Sequence, residues 1–310
     1  MNALYERLSN CTLCPRRCRV DRREKKGGFC HLADYMVVDC ALPHFGEEPP
    51  ISGTQGSGTI FFSSCNLRCT FCQNYQISHV VTGKKTTPEE LANIMLSLAK
   101  EGCHNINLVT PTPHAPFILD AIFEARSKGL NVPIVYNTSS YEEPEVIRLL
   151  AGWIDIYLPD FKFGDEQVAS ELSRAGDYVR IATASLQEMI RQVGDGLLIE
   201  DGIAKRGLLV RHLVLPGRVE NSLKAIRILA EEVSRHLTLS IMSQYTPIPP
   251  LSYHPQLGRR LSQEEYETVV NYALDMGFEN IYIQEVDARH LMPDFGREKP
   301  FAWYDDKEGK

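Results

Sequence analysis

Short apolar runs alternate with longer amphipathic stretches along most of the 310-residue chain. A short apolar run is typical of a buried strand, whereas apolar positions three or four residues apart indicate a helix. Strands are predicted at residues 59–63, 106–109, 132–136, 153–158, 208–215, 237–242 and 280–283. Helices are predicted from residue 87 onward and at residues 115–128, 143–151, 165–193, 220–235 and 262–276.

Local signals support this alternation of strands and helices. Capping boxes at residues 87–90 and 262–265 precede two of the helices. An Asp-Gly pair at residues 201–202 predicts a small hairpin. Strand–helix alternation of this length requires a parallel sheet with right-handed crossovers. We therefore predict an α/β fold, a partial (β/α)6 TIM-type barrel, over residues 51–310.

The first 50 residues differ from the rest of the chain. They show little periodicity, carry many basic residues and contain a group of four cysteines, and the turn-forming residues 51–58 link them to the predicted barrel. A segment with so few apolar residues needs a metal to fold on its own. We predict that residues 1–50 form a cysteine-rich, metal-binding extension.

Net charge and hydropathy narrow the classes of partner. With 33 Lys and Arg against 40 Asp and Glu, the net charge is −7, which argues against general binding to nucleic acid or anionic membranes. No apolar run approaches the roughly 18 residues that span a bilayer. The first ten residues lack the basic and apolar regions of a signal peptide. We expect a cytoplasmic protein that binds neither nucleic acid nor membrane.

Three of the nine cysteines follow the first predicted strand in a C-x3-C-x2-C pattern, namely Cys65, Cys69 and Cys72. Three thiolates can hold three irons of a [4Fe–4S] cubane, whose four sites are normally filled by four thiolates. One iron then stays open to an exogenous ligand, as in catalytic zinc sites. The same spacing also fits inward packing from one helix face, but the polar neighbours of these cysteines disfavour that alternative.

Four further cysteines form a second set, Cys11, Cys14, Cys18 and Cys30. A complete four-thiolate set can bind zinc structurally or hold an auxiliary [4Fe–4S] cluster, and thiolates alone do not decide between them. If both sets served zinc, the chain would be a non-catalytic interaction module. The isolated Cys40 and Cys103 are expected to pack as small apolar residues.

The first cysteine pattern, with Phe71 ahead of its last cysteine, resembles the signature of the radical S-adenosylmethionine superfamily. Its context, residues 56–78, is similar to the pyruvate formate-lyase activating enzyme-like branch, and the resemblance covers nearly the whole chain. It implies that S-adenosylmethionine binds the open iron and that the reduced cluster cleaves it to methionine and a 5′-deoxyadenosyl radical, which abstracts hydrogen from a substrate. It also implies a reductant such as ferredoxin or flavodoxin.

The resemblance also implies cofactor contacts. Phe71 is expected near the adenine. Many members carry Gly-Gly-Glu after the second strand, where this chain has Thr110-Pro-Thr; the acidic partner is absent and Thr110 is the expected substitute. Asn137, at the end of the third strand, stands where a ribose contact is expected, and a turn asparagine is the alternative.

Asp160-Phe-Lys162, after the fourth strand, matches the Asp-x-Lys element of glycyl-radical activating enzymes. In extended chain the two charged side chains share a face, although they could also form a surface ion pair. Arg211 and His212 take opposite faces of the next strand. Arg211 suits bidentate binding of the methionine carboxylate, while His212 would face the substrate or serve a structural role.

Polar residues also follow the last two predicted strands. Tyr245 is expected at the adenosine, and Gln244 and Glu285 near the substrate. Residues 44–48, ahead of the barrel, carry charged side chains that could cap the cavity, but we expect a solvated loop there.

The leading functional hypothesis is activation of a glycyl-radical enzyme. Activating enzymes with ferredoxin-like inserts carry their extra cysteines after the radical motif, whereas this chain carries them before it. A radical enzyme that acts on a small metabolite or another peptide is therefore the alternative.

Overall fold

The computed structural model describes residues 2–286 and 292–301 of the chain. Within these residues a mostly parallel sheet of ten strands forms the centre of the fold. The strands are β1 (Met36–His44), β2 (Ser57–Phe62), β3 (Lys84–Thr86), β4 (Ile106–Val109), β5 (Ile134–Thr138), β6 (Ile156–Pro159), β7 (Leu197–Glu200), β8 (Ile203–Leu213), β9 (Thr238–Met242) and β10 (Ile281–Ile283). The helices are α1 (Asn2–Glu6), α2 (Pro49–Ser52), α3 (Tyr75–Ser78), α4 (Pro88–Lys100), α5 (Ala115–Ser127), α6 (Pro144–Leu149), α7 (Glu166–Ser173), α8 (Tyr178–Val193), α9 (Val219–Ile228) and α10 (Gln263–Asp275).

The parallel part of the sheet runs β2-β4-β5-β6-β8-β9-β10. β1 and β3 extend it antiparallel beyond β2, and β7 pairs with β8 as a hairpin. Helices connect the parallel strands, as the alternating pattern requires. The fold is thus a mixed α/β fold, which confirms the predicted partial TIM-type barrel.

The local signals of the sequence form as predicted. In both capping boxes, at residues 87–90 and 262–265, the two reciprocal hydrogen bonds are present. The hairpin turn at residues 201–202 places Asp201 and Gly202 at φ angles of 51° and 79°. These left-handed angles suit an Asp-Gly pair, so the β7–β8 hairpin is also confirmed.

The two faces of the sheet bury different side chains. Outward residues of the strands, such as Ile60 and Leu108, belong to the large core beneath the helices. Inward residues near the amino ends of the strands, such as Val135 and Ile156, form a smaller cluster around Ile51 of α2. α2 is not part of the sheet, and its Ile51 packs among these inward residues, so α2 closes the lower end of the lumen. The carboxyl ends of the strands form the upper rim.

The first 50 residues pack closely on the barrel. β1 pairs with β2, with Ala41 opposite Ile60. Leu4 and Leu8 are almost fully buried in the same core as the barrel helices. The division of the chain at residue 50 stays a prediction, while the structure gives the extension and the barrel a shared core.

The described C-terminal residues 292–301 cover one side of the upper rim. Phe301 and Phe295 pack their rings on Phe61 of β2, at centroid distances of 5.3 and 5.4 Å. Across the described part of the chain, no helix combines the length and the apolar character needed to cross a bilayer.

Candidate functional site

The C-x3-C-x2-C cysteines lie on an irregular loop at the upper rim, residues 64–74, which we call the rim loop. Ser64 and Arg68 adopt positive φ angles of 75° and 52°, which few residues other than glycine take up and which turn the loop back tightly. Since residues 65–72 contain no helical turn, the alternative of three cysteines packed from one helix face is wrong.

Hydrogen-bond donors lie beside two of the three sulfurs. The Leu67 amide donates to Cys65 Sγ over 3.3 Å, and the Ser78 hydroxyl donates to Cys72 Sγ over 3.2 Å. Burial raises the pKa of the Cys69 thiol to about 12. A thiolate in so dry a place needs a compensating positive charge, which a bound iron ion would supply. The donors and the burial together fit a metal–thiolate centre.

A cluster and a single metal ion require different arrangements of their ligands. Among residues 2–286 and 292–301, no three His, Cys, Asp or Glu side chains converge enough to share one metal ion. The ligands of a cubane bind different irons, so they need not meet at one point. The arrangement of the three rim-loop cysteines is compatible with a cluster, and the motif contains no fourth cysteine.

Asp160 and Lys162 form an ion pair beside these thiols rather than on the surface. The Lys162 ammonium donates to Asp160 Oδ2, and both side chains are only about one-fifth exposed. Burial lowers the pKa of Lys162, but the charges of Asp160 and Cys69 outweigh it and raise that pKa. Asp160 Oδ1 is buried without a hydrogen-bond partner among the described residues. An unsatisfied buried acceptor of this kind fits a hydroxyl or amino group of a ligand.

Thr110 and Asn137 meet at the same rim. Thr110 has a φ of 59°, a left-handed angle that is costly for a β-branched residue, and its amide donates to the Asn137 carbonyl over 2.9 Å. Asn137 shares the inward face of β5 with Val135. The strained Thr110 occupies the position where the resemblance places a glycine.

Arg211 points into the lumen and is held by two carboxylates. It donates from Nε and a terminal nitrogen to Glu48, over 3.0 and 2.8 Å, and it also pairs with Glu47. Burial raises the pKa of Glu48, but Arg211 outweighs it and lowers that pKa. The expected solvated loop at residues 44–48 is thus wrong, because a buried guanidinium requires buried counter-charges. A contact from Arg211 to the cofactor stays a prediction.

His212, by contrast, lies in the outer core. Its Nδ1 is 2.7 Å from the Phe161 carbonyl and its Nε2 is 2.9 Å from the Ser222 hydroxyl. Burial lowers the pKa of His212 to about 4. The structure therefore brings Arg211, but not His212, to the interior of the barrel.

The remaining predicted site residues differ in their burial and in the residues that they contact. The Gln244 carbonyl accepts a hydrogen bond from Gln73 of the loop over 2.9 Å. Tyr245 is buried, and its hydroxyl donates to the Leu257 carbonyl over 2.6 Å. Phe71 is buried against Phe163, at a ring distance of 6.1 Å. Glu285 is exposed, and its carbonyl accepts from the Ser243 hydroxyl.

The second cysteine set lies in residues 11–30, the N-terminal cysteine segment, which docks on the rim loop. The Phe29 amide donates to Cys18 Sγ over 3.2 Å. Burial raises the pKa of Cys14, and the nearby charges of Cys30, Cys11 and Cys18 add to this. A Cβ at Gly28 would lie 2.7 Å from Cys18 Sγ, so this position requires glycine. The four thiols therefore share one neighbourhood, in which Cys11 is buried and the other three are partly buried.

Arg16 and Arg68 contact the rim loop region although the sequence assigned them no role, and Glu47 and Glu48, considered from the sequence as a cap on the cavity, pair with Arg211 inside the lumen. Arg16 reaches the rim loop from the N-terminal cysteine segment, and Arg68 reaches back. Both arginines lie within a cysteine motif, but Arg17 and Arg19 do so as well, and position in the sequence alone does not separate them.

Comparison with known proteins gives one family match and two relatives. The family model of the Radical SAM superfamily matches residues 59–243. An uncharacterized protein of Methanocaldococcus jannaschii, MJ0674, is 32% identical over 284 residues, which cover 89% of this chain and 77% of that protein. A second from the same organism, MJ0808, is 24% identical over 309 residues, which cover 91% and 84%.

Solved structures show weaker likeness. SuiB of Streptococcus suis bound to S-adenosylmethionine has a TM-score of 0.47 and 11% identity, covering 72% of this chain and 48% of that chain. Methylornithine synthase (PylB) has a TM-score of 0.48 and 15% identity, covering 73% and 63%. The chain thus spans about half of SuiB and less than two-thirds of PylB. Structural similarity at these TM-scores carries no information about whether the proteins share an activity.

Proposed function

Because the chain belongs to the radical S-adenosylmethionine superfamily, we propose that Cys65, Cys69 and Cys72 bind a [4Fe–4S] cluster that cleaves S-adenosylmethionine. When bound, the cluster supplies one electron and the cofactor supplies a 5′-deoxyadenosyl radical that abstracts hydrogen from the substrate. The observation that carries the proposal is the set of three thiols on the rim loop, one buried and two partly buried, with donors to two sulfurs and the Lys162 charge nearby.

The residues around the thiols have separate tasks in this proposal. The Leu67 amide and the Ser78 hydroxyl stabilise negative charge on the sulfurs and so influence the reduction potential. The free oxygen of Asp160 accepts a hydrogen bond from the cofactor or substrate. Thr110 and Asn137 line the same rim, and the buried Phe71 keeps water from the loop.

For the substrate, we propose the backbone glycine of a glycyl-radical enzyme, with ferredoxin or flavodoxin as the reductant. The Asp160–Lys162 pair beside the thiols supports this, because it matches the Asp-x-Lys element of activating enzymes and lies at the rim. The position of the N-terminal cysteine segment, ahead of the radical motif, favours a second candidate, a different peptide or a small metabolite.

We also propose that Cys11, Cys14, Cys18 and Cys30 bind a second metal centre, either a [4Fe–4S] cluster or zinc; a single zinc ion would require the four thiols to draw closer together than they lie in the structure. The closeness of the four thiols, the amide donor to Cys18 and the required Gly28 support a site built around sulfur. Residues 11–30 also contain few apolar side chains around which to fold.

The cluster chemistry is tested with anaerobically purified protein. With dithionite and S-adenosylmethionine, the wild type should release 5′-deoxyadenosine, measured by liquid chromatography, and Cys69→Ser should release none. Cys40→Ser removes a thiol outside both sets and should keep the activity. A colourless wild type that contains only zinc would contradict the proposal and favour the zinc-binding interaction module.

The substrate is tested by electron paramagnetic resonance. If a co-encoded glycyl-radical enzyme is the substrate, its incubation with the active protein, reductant and S-adenosylmethionine should produce the glycyl-radical doublet. The same mixture with the glycine of that partner changed to alanine should give no signal. Release of 5′-deoxyadenosine without a doublet would exclude the glycyl-radical partner and favour the second candidate.

A further inference from the structure

The two cysteine-bearing segments interlock through one arginine. Arg16 lies between two cysteines of the N-terminal cysteine segment, and its guanidinium donates to two carbonyl oxygens of the rim loop. These belong to Asn66, at 2.9 Å from Nε, and Leu67, at 3.4 Å from a terminal nitrogen. The same guanidinium also donates to the carbonyls of Ser173, at 2.7 Å, and Arg174 at the end of α7.

The rim loop reaches back in the opposite direction. Arg68 donates to the Phe29 carbonyl over 3.1 Å, and Ser64 donates from its hydroxyl to the Cys30 carbonyl. The Phe29 ring lies 4.0 Å from the Arg16 guanidinium carbon and 5.5 Å from that of Arg68. Contacts at these distances are cation–π interactions, so the ring holds both arginines in place.

One of these contacts leads directly to a catalytic sulfur. The carbonyl that accepts from Arg16 Nε and the amide that donates to Cys65 Sγ belong to the same peptide unit, between Asn66 and Leu67. A trans peptide is planar, and its C=O and N–H point in opposite directions. When Arg16 fixes the oxygen, it therefore also aims the N–H at the sulfur. Its charge polarises the peptide and strengthens that second hydrogen bond.

We infer that Arg16 is a positioning residue for the catalytic cluster, acting through the peptide unit between Asn66 and Leu67. This rests on the proposed cluster at Cys65, Cys69 and Cys72. Hydrogen bonds to the sulfurs favour the more negatively charged, reduced state of an iron–sulfur cluster and so raise its reduction potential. The N-terminal cysteine segment thus contributes a residue that makes the catalytic cluster easier to reduce.

The test is redox titration of the anaerobic, reconstituted full-length protein, followed by the electron paramagnetic resonance signal that changes when S-adenosylmethionine is added, because this signal belongs to the rim-loop cluster and not to a cluster at the N-terminal cysteines. Arg16→Gln should lower the midpoint potential, with about a tenfold smaller reduced fraction at a fixed solution potential near the wild-type midpoint. Arg19→Gln is the matched control, because it removes an exposed positive charge from the same segment. It should titrate like the wild type.

A second variant keeps the test decisive if Arg16→Gln fails to fold. Arg16→Lys keeps the charge but loses the planar fork that reaches several carbonyls, so its midpoint should lie between those of the wild type and Arg16→Gln. A wild-type midpoint for Arg16→Gln overturns the inference, as does a wild-type midpoint for Arg16→Lys where Arg16→Gln binds no iron. If the wild type binds no cluster or releases no 5′-deoxyadenosine, the proposed function itself fails.

Discussion

Glu142 is a fully buried carboxyl group between β5 and α6, outside the lumen. Both Thr112 and Thr138 donate hydroxyl hydrogen bonds to its Oε1, and Oε2 has no partner among the described residues. Burial outweighs these donors and raises the pKa of Glu142 from 4.5 to about 7. A neutral carboxyl is therefore part of the folded protein over the acidic half of the physiological range.

This raised pKa predicts a pH dependence of stability. The folded state holds the proton more tightly than the unfolded chain, so the contribution is complete below pH 4.5 and is lost as the pH rises through 7. Relative to Glu142→Gln, the wild type should lose about 3 kcal/mol of unfolding free energy over this window. Urea unfolding at several pH values measures the difference.

The control for this experiment is Glu145→Gln, at an exposed position in the first turn of α6. It should differ from the wild type by a nearly constant amount across the same pH range. A constant offset for Glu142→Gln as well would mean that Glu142 is ionised in the folded protein throughout.

At the scale of elements, the two cysteine-bearing segments were the parts of the site that spacing indicated best. The short spacing between cysteines is a local property that can be recognised in the sequence. In the structure each set lies on irregular backbone, and the thiols of the N-terminal set lie near one another. Their mutual docking was not predictable. It depends on guanidinium-to-carbonyl contacts such as Arg16 to Ser173, across 157 positions of sequence, and a carbonyl has no signature in a side-chain pattern.

The second metal centre gives a prediction at this scale. If it is a [4Fe–4S] cluster, iron should fall from about eight to about four atoms per chain when Cys11 and Cys14 are both changed to serine. If it is zinc, one zinc should be lost and the iron kept. Anaerobic metal analysis measures both. A variant with Cys40 and Cys103 changed to serine should keep every metal, and unchanged metal in the Cys11 and Cys14 variant would refute the site.

Over the whole molecule, periodicity predicted the parallel strands but not the antiparallel edge. β1 contains Asp39, Cys40 and Pro43, which interrupt an apolar run, and its partner in the sheet is supplied only by tertiary structure. The residues that fill the barrel lumen could not be predicted from periodicity either. Glu48 looks like a surface residue until Arg211, 163 positions away, is placed beside it, because a buried ion pair depends on both partners.

The segment of residues 47–51, which crosses the barrel lumen, limits how a large substrate can approach. Ile51 seals the amino ends of the strands, and Glu47 and Glu48 occupy the interior above it. A polypeptide therefore cannot thread from one end of the barrel to the other. It has to enter and leave at the upper rim, which a chain end or a sharply bent stretch of backbone can do. If the substrate is a residue inside the chain of a partner protein, that partner would present it at the tip of a turn, or would have to unfold locally to form one.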